Sequence, residues 1–172
     1  MTDIRRYPAD NRPVFITAVC YQRKPILANA SEKELLLSVI REVKAEMPFR
    51  LLAYVILDDH FHWLIKPEPN VAFSAIVQSV KLRFTHRYKR AQNLTQPVKL
   101  WQRRFWDHLI RDNNGLHRHM DYVHYNPVKH GRVADPADYP WSSFLAHRAN
   151  GNYPIGWATG QAPDSIETLN FE

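Results

Sequence analysis

Two apolar runs, RLLAYVIL at 50–57 and HFHWLIK at 60–66, are separated by only Asp58 and Asp59. Both runs read as strands, and an Asp-Asp pair suits a tight turn, so the chain must build a hairpin here. The other elements fall into order around it. PVFITAVCY, residues 13–21, is β-branched and aromatic and reads as a first strand. Ser31 with Glu34 three residues on has the capping-box pattern. Leu35, Leu36, Val39, Ile40 and Val43 follow at helical spacing until Pro48. An amphipathic helix is expected from Phe73 to Arg90, with Ile76, Val77, Val80 and Phe84 inward and basic residues outward. Residues 92–99 read as a polar loop and Phe105 to Ile110 as a fourth strand. A turn is expected at Asp112-Asn113-Asn114-Gly115, then a short helix from Leu116 to Asn126 closed by Pro127. The remainder, rich in Pro, Trp and Gly, reads as a packed tail with little regular structure.

The order β-α-β-β-α-β, followed by a helix, specifies an α+β fold: a ferredoxin-like sheet with helices on one face. No repeat or linker divides the sequence, so residues 1–172 are expected to form one domain, with a core at roughly 13–130 and a tail at 131–172. A chain of 172 residues can bury its own core, and 45% hydrophobic content with eight Phe, eight Tyr and five Trp marks it as globular. No apolar run approaches the roughly 20 residues that span a bilayer. The opening MTDIRRYPADNRP has basic residues with no apolar segment behind them, so no secretory signal is read and a cytoplasmic location is expected. Cys20 is the only cysteine, which excludes an intramolecular disulfide and a thiolate-cluster zinc site.

The net charge of +6 and a pI near 9.5 suit a polyanionic partner. Lys81, Arg83, Arg87, Lys89 and Arg90 crowd one segment, and Arg103, Arg104 and Arg111 lie beside Trp101, Phe105 and Trp106. Cations interleaved with rings fit single-stranded nucleic acid, since cations follow phosphates and rings stack on bases. Solvated helix faces around an apolar core account for the same composition.

The hairpin's second strand raises a chemical question. Alternate strand residues share a face, so His60 and His62 project together and Phe61 and Trp63 project the other way. Two imidazoles on one face can share a divalent metal but need a third ligand from elsewhere. They can equally be core histidines with satisfied nitrogens. In LHRHMDYVHYNPVKHG, residues 116–131, Leu116, Met120 and Val123 mark the core face, and Tyr122 and Asn126 stack four residues apart at its edge. Tyr125 is expected to point toward solvent. Asn126 could offer an amide oxygen to Mg²⁺ or Mn²⁺ if the histidine face lies beneath it. His117, Asp121 and His124 form a rival set on another face, read mainly as solvated polar residues.

His60-Phe61-His62 resembles the HUH motif (His, bulky hydrophobic, His) of single-tyrosine transposases and relaxase-like nucleases. WQRRFWDHLIRD, DYVHYNPVKHG and YPWSSF resemble the REP-associated tyrosine transposases in particular. The resemblance runs from FITAVCYQRKPIL to the YPWSSF tail. It implies cleavage and rejoining of single-stranded DNA at the foot of short palindromic REP-type hairpins, through a 5′-phosphotyrosine. It implies Tyr122 as nucleophile, from the Y-x-x-x-N pattern, and His60, His62 and Asn126 as ligands of Mg²⁺ or Mn²⁺. On this reading Lys81, Arg83, Arg87 and Arg90 hold the hairpin backbone, and Arg103 or Arg104 the single-stranded foot. Asp58 stands where many of the family have Pro. The resemblance favours a monomer over the helix-swapped dimers of the insertion-sequence branch, acting in the bacterial cytoplasm at the nucleoid. Two alternatives stay open: a non-catalytic nucleic-acid-binding module, and a metal-dependent nuclease that uses water. The first lacks the glycine-aromatic pattern of RNA-recognition folds.

Overall fold

The computed structural model describes residues 11–166 and Leu169. Four strands, β1 (Val14–Val19), β2 (Phe49–Ile56), β3 (His60–Pro67) and β4 (Trp106–Leu109), form one antiparallel sheet in the order β2-β3-β1-β4. This is the strand order of the ferredoxin-like fold, with β3 inserted between the two strands that α1 connects. Helices α1 (Ala30–Glu46) and α2 (Phe73–Ala91) pack together on one face. Their core joins Val14, Ile16 and Ala18 of β1 with Phe61, Trp63 and Ile65 of β3. Helix α3 (Asn113–Lys129) covers the other face, where Phe15, Ala53, Val55 and Leu64 meet Tyr122 and Val123. Period-two alternation thus feeds two cores from the same strands.

Three local expectations need correction. Helix α1 starts at Ala30 with Asn29 as its N-cap, and the Ser31 hydroxyl donates to Glu32 at 3.0 Å, so the expected capping box does not form. Helix α3 starts earlier than the sequence suggested. Asp112 is not a turn residue but the N-cap, and its carboxylate accepts from Gly115 N at 2.7 Å. Helix α3 also runs through Pro127, which lies in the last turn. Gly131, at φ +63°, ends it instead: Gly131 N donates to Val128 O at 2.9 Å and Arg132 N to Pro127 O at 2.9 Å. That is a Schellman cap, which needs a left-handed residue just past the helix.

The tail is more ordered than expected. It holds a 3-10 turn at Pro136–Asp138 and helix α4 (Phe144–Ala149), and Ser142 bridges to Val55 on the outer edge of β2. Among the described residues no helix is long and apolar enough to cross a membrane.

Candidate active site

The hairpin turn is pinned from three sides. Asp58 accepts from buried Lys33 at 2.9 Å through one oxygen and from Arg132 at 2.9 Å through the other. Arg132 follows the α3 cap, so this carboxylate fastens the end of α3 to the turn before His60. Leu27 N donates to Asp58 O at 2.8 Å and Cys20 N to Asp59 O at 2.8 Å. An Asp at this position therefore does structural work that a proline could not.

His60 and His62 are fully buried on the α3 face. Their ring centroids are 4.8 Å apart. Each ring is held through Nδ1. Asp59 Oδ1 lies 2.6 Å from His60 Nδ1, and Thr17 Oγ1 lies 2.8 Å from His62 Nδ1. A carboxylate accepts only, so His60 must donate through Nδ1, which leaves the lone pair of the neutral ring on Nε2. The same orientation follows for His62 if Thr17 oxygen accepts. A carboxylate behind a histidine is the usual outer support of a metal ligand. Burial acts to raise the Asp59 pKa, but the hydrogen bond from His60 and the hydrogen bond and charge of Arg23 outweigh it and hold the carboxyl at about 2.

Helix α3 lays Tyr122 against His62 and carries Asn126 one turn further along. Both are buried, and the His62 and Tyr122 rings are 5.4 Å apart at 72°. Phe15 sits at 5.4 Å from His62 and 5.9 Å from Tyr122, fixing the spacing between sheet and helix. Among the described residues, no hydrogen bond reaches His60 Nε2, His62 Nε2 or Asn126 Oδ1, all of them buried. Two imidazole lone pairs and an amide oxygen fit a divalent cation whose remaining positions go to water or phosphate. Lys129, two turns beyond Tyr122, donates to the phenol oxygen at 3.3 Å. His130 packs on His60 at 5.2 Å between ring centroids.

The buried residues of α3 include His119, Tyr122, Val123 and Asn126, so Tyr122 and Asn126 lie in the core-facing stripe and not at its edge. Leu116 and Met120 are only partly buried. Tyr125 is also partly buried against this core, not turned to solvent as expected. The rival set is not the solvated face that was expected, since only His117 is exposed. His124 is locked between Ser143 and Tyr153, Asp121 accepts from Tyr153 and Ser165, and His117 is exposed. Among the described residues no three His, Cys, Asp or Glu side chains group as metal ligands.

The expected DNA contacts lie elsewhere. Lys81, Arg83, Arg87 and Arg90 belong to α2, on the far side of the sheet from Tyr122. Arg83 pairs with Glu46 and Arg87 with Glu42 of α1. Lys81 donates to the carbonyls of Gln102 and Arg103 at 2.6 and 3.4 Å, holding the segment before β4 against α2. Arg103 and Arg104 are exposed in that segment, and with Lys81 it lines a cleft of about 380 Å³.

Residues 13–126 match the family model described as Transposase IS200 like. The chain belongs to the IS200-like transposase family. Within it, this transposase is 37% identical over 160 residues to the REP-associated tyrosine transposase of Escherichia coli, 92% of each chain being covered. A solved structure of a REP-associated tyrosine transposase bound to a REP hairpin superposes with a TM-score of 0.80. It is 35% identical, covering 99% of this chain and 100% of that one. The transposase is therefore an enzyme of the REP-associated tyrosine group, and its fold is that group's fold. Asp59, Thr17 and Lys129 escaped the sequence reading. Asp59 had a signal, an acid directly before the first histidine. Thr17 is brought in by strand register, and Lys129 by the continuation of α3 through Pro127.

Proposed function

We propose that this transposase cleaves and rejoins single-stranded DNA at the foot of short palindromic hairpins, with Tyr122 as nucleophile and a 5′-phosphotyrosine as intermediate. The observation that carries this reading is the placing of Tyr122 against the His60–His62 pair by its own α3, with ring centroids 5.4 Å from His62. The similarity to a transposase bound to a REP hairpin supports the hairpin as partner. His60, His62 and Asn126 would hold Mg²⁺ or Mn²⁺. When bound, the ion supplies neutralisation of phosphate charge and polarisation of the scissile bond.

The chain's own groups do the rest. The Tyr122 oxygen attacks phosphorus as its proton leaves. The bond from phosphorus to the 3′ oxygen breaks, and that oxygen takes up a proton, so no electron or net proton is consumed. The Lys129 ammonium offsets the negative charge that develops on the phenol oxygen. Attack by a 3′-hydroxyl on the phosphotyrosine reverses the step and joins strands. One protomer supplies tyrosine, histidines and asparagine, so a monomer suffices.

Arg103 and Arg104 would steady the single-stranded foot. Lys81, Arg83, Arg87 and Arg90 would meet the hairpin backbone, Arg83 and Arg87 by exchanging Glu46 and Glu42 for phosphates. Acting on such DNA, the enzyme would work at the bacterial nucleoid. The test is a labelled hairpin pool with Mn²⁺, followed by denaturation and detection of label on protein. Wild type and Tyr125→Phe should retain label, and Tyr122→Phe and His62→Ala should lose it. Cleaved DNA without adduct would replace the tyrosine mechanism with hydrolysis by water.

A further inference from the structure

Strand β4 forms one edge of the sheet, and its side chains alternate between the two faces. The register sets Trp106 opposite Thr17 and His108 opposite Phe15. Both therefore share the face that carries His62 and Tyr122. The Trp106 and His108 rings are parallel within 6°, with centroids 5.9 Å apart. His108 lies parallel to His119 of α3 within 11°, at 5.1 Å. Three ring planes from two elements are thus aligned side by side. Phe15 connects this row to the nucleophile: it lies 5.7 Å from Trp106 and 5.9 Å from Tyr122.

Trp106 is 41% exposed, while most large rings among the described residues are buried. A single exposed apolar residue needs no explanation. This one is held in a fixed plane, on the reaction face, two residues after Arg104. Burial lowers the pKa of both His108 and His119, with nearby arginines adding to it, so the imidazoles can lie parallel without opposing charges. A flat, uncharged, preset surface with cations just before it in the chain is what an unpaired base requires.

We propose that Trp106, backed by His108 and His119, is the stacking platform for an unpaired base of the DNA strand beside the scissile phosphate. This rests on the single-stranded DNA reading above and names the surface that would orient the strand for Tyr122. Stacking of one base on one aromatic ring corresponds to a change of about 5- to 150-fold in affinity.

The experiment uses the full chain and two oligonucleotides: a hairpin with single-stranded flanks, and the same hairpin trimmed to its stem. A 2-aminopurine base is moved through the flank positions, since stacking on tryptophan quenches it. The proposal expects quenching at one flank position by wild type. It expects Trp106→Ala to lose that quenching and to bind the flanked hairpin about 5- to 150-fold more weakly. Affinity for the trimmed hairpin should not change, and Trp106→Phe should recover most of the loss. Absence of quenching at every position, an equal loss on both oligonucleotides, or no loss on either would overturn it. Should Trp106→Ala not fold, the wild-type quenching scan and Trp106→Phe decide alone. Wild type that bound neither hairpin would defeat the proposed function itself; binding without flank quenching would defeat only the platform.

Discussion

Asp59 is the residue whose loss separates geometry from charge most cleanly. It holds His60 through Nδ1 and leaves the buried Nε2 as the ring's available lone pair. Asp59→Asn keeps the size and can still accept a hydrogen bond, but it removes the carboxylate that raises ligand basicity. Mn²⁺ affinity should fall about 10- to 100-fold, read by calorimetric titration of the metal-free chain, with unchanged circular dichroism. An affinity equal to wild type would remove Asp59 from the site's support. The depressed pKa, about 2 against an ordinary 3.8, carries a sign as well. The contribution of this carboxylate to stability is complete above about 3.8 and is lost as pH falls through 2, so it is constant across neutral pH.

Helix α3 carries both the proposed nucleophile, Tyr122, and the proposed third ligand, Asn126, between two well-defined ends. Asp112 begins it by accepting from Gly115 N, and its negative charge also suits the positive end of the helix dipole. The Schellman cap at Gly131 ends it, two turns past the tyrosine, and delivers Lys129 to the phenol and Arg132 to Asp58. Asp112→Ala should cost about 1 kcal/mol in urea unfolding. Adduct yield per folded molecule should stay at the wild-type level, because packing of Tyr122 and Val123 on the sheet, not the cap, fixes the site. A drop in yield at full folding would place the α3 start in the reaction geometry.

At the scale of the molecule, the tail closes the α3 face through a buried polar chain. Tyr153 donates to Asp121, so His124 donates to Tyr153 through Nδ1, and its Nε2 pairs with Ser143. This arrangement needs a neutral imidazole. Burial first, and the neighbouring His147 second, push the His124 pKa down to about 3 from an ordinary 6.5. Between those values the unfolded chain binds the proton and the folded one does not. Stability should therefore be complete above about pH 6.5 and fall as pH drops toward 3. Urea midpoints measured from pH 7 to pH 4 should decline, and His124→Gln should flatten the slope. A wild-type midpoint independent of pH over that interval would contradict the buried neutral histidine.

The sequence by itself determined the element order, the hairpin at Asp58-Asp59, the common face of His60 and His62, and the four-residue step from Tyr122 to Asn126. All of these are local: strand alternation and helical pitch are properties of neighbouring residues, and the family resemblance is written in short segments. What required the tertiary structure was long-range. A bulge in β2 between Leu51 and Ala53 inserts one residue, which turns Ala53 and Val55 to the α3 face and sets Val55 opposite His62. Pro127 suggested a helix end, yet the Gly131 cap overrode it. The basic residues of α2 lie across the sheet from Tyr122, a placement the sequence did not indicate. Composition counts charges without saying which face they occupy, and only the packing of α1 and α2 on one side and α3 on the other decides that.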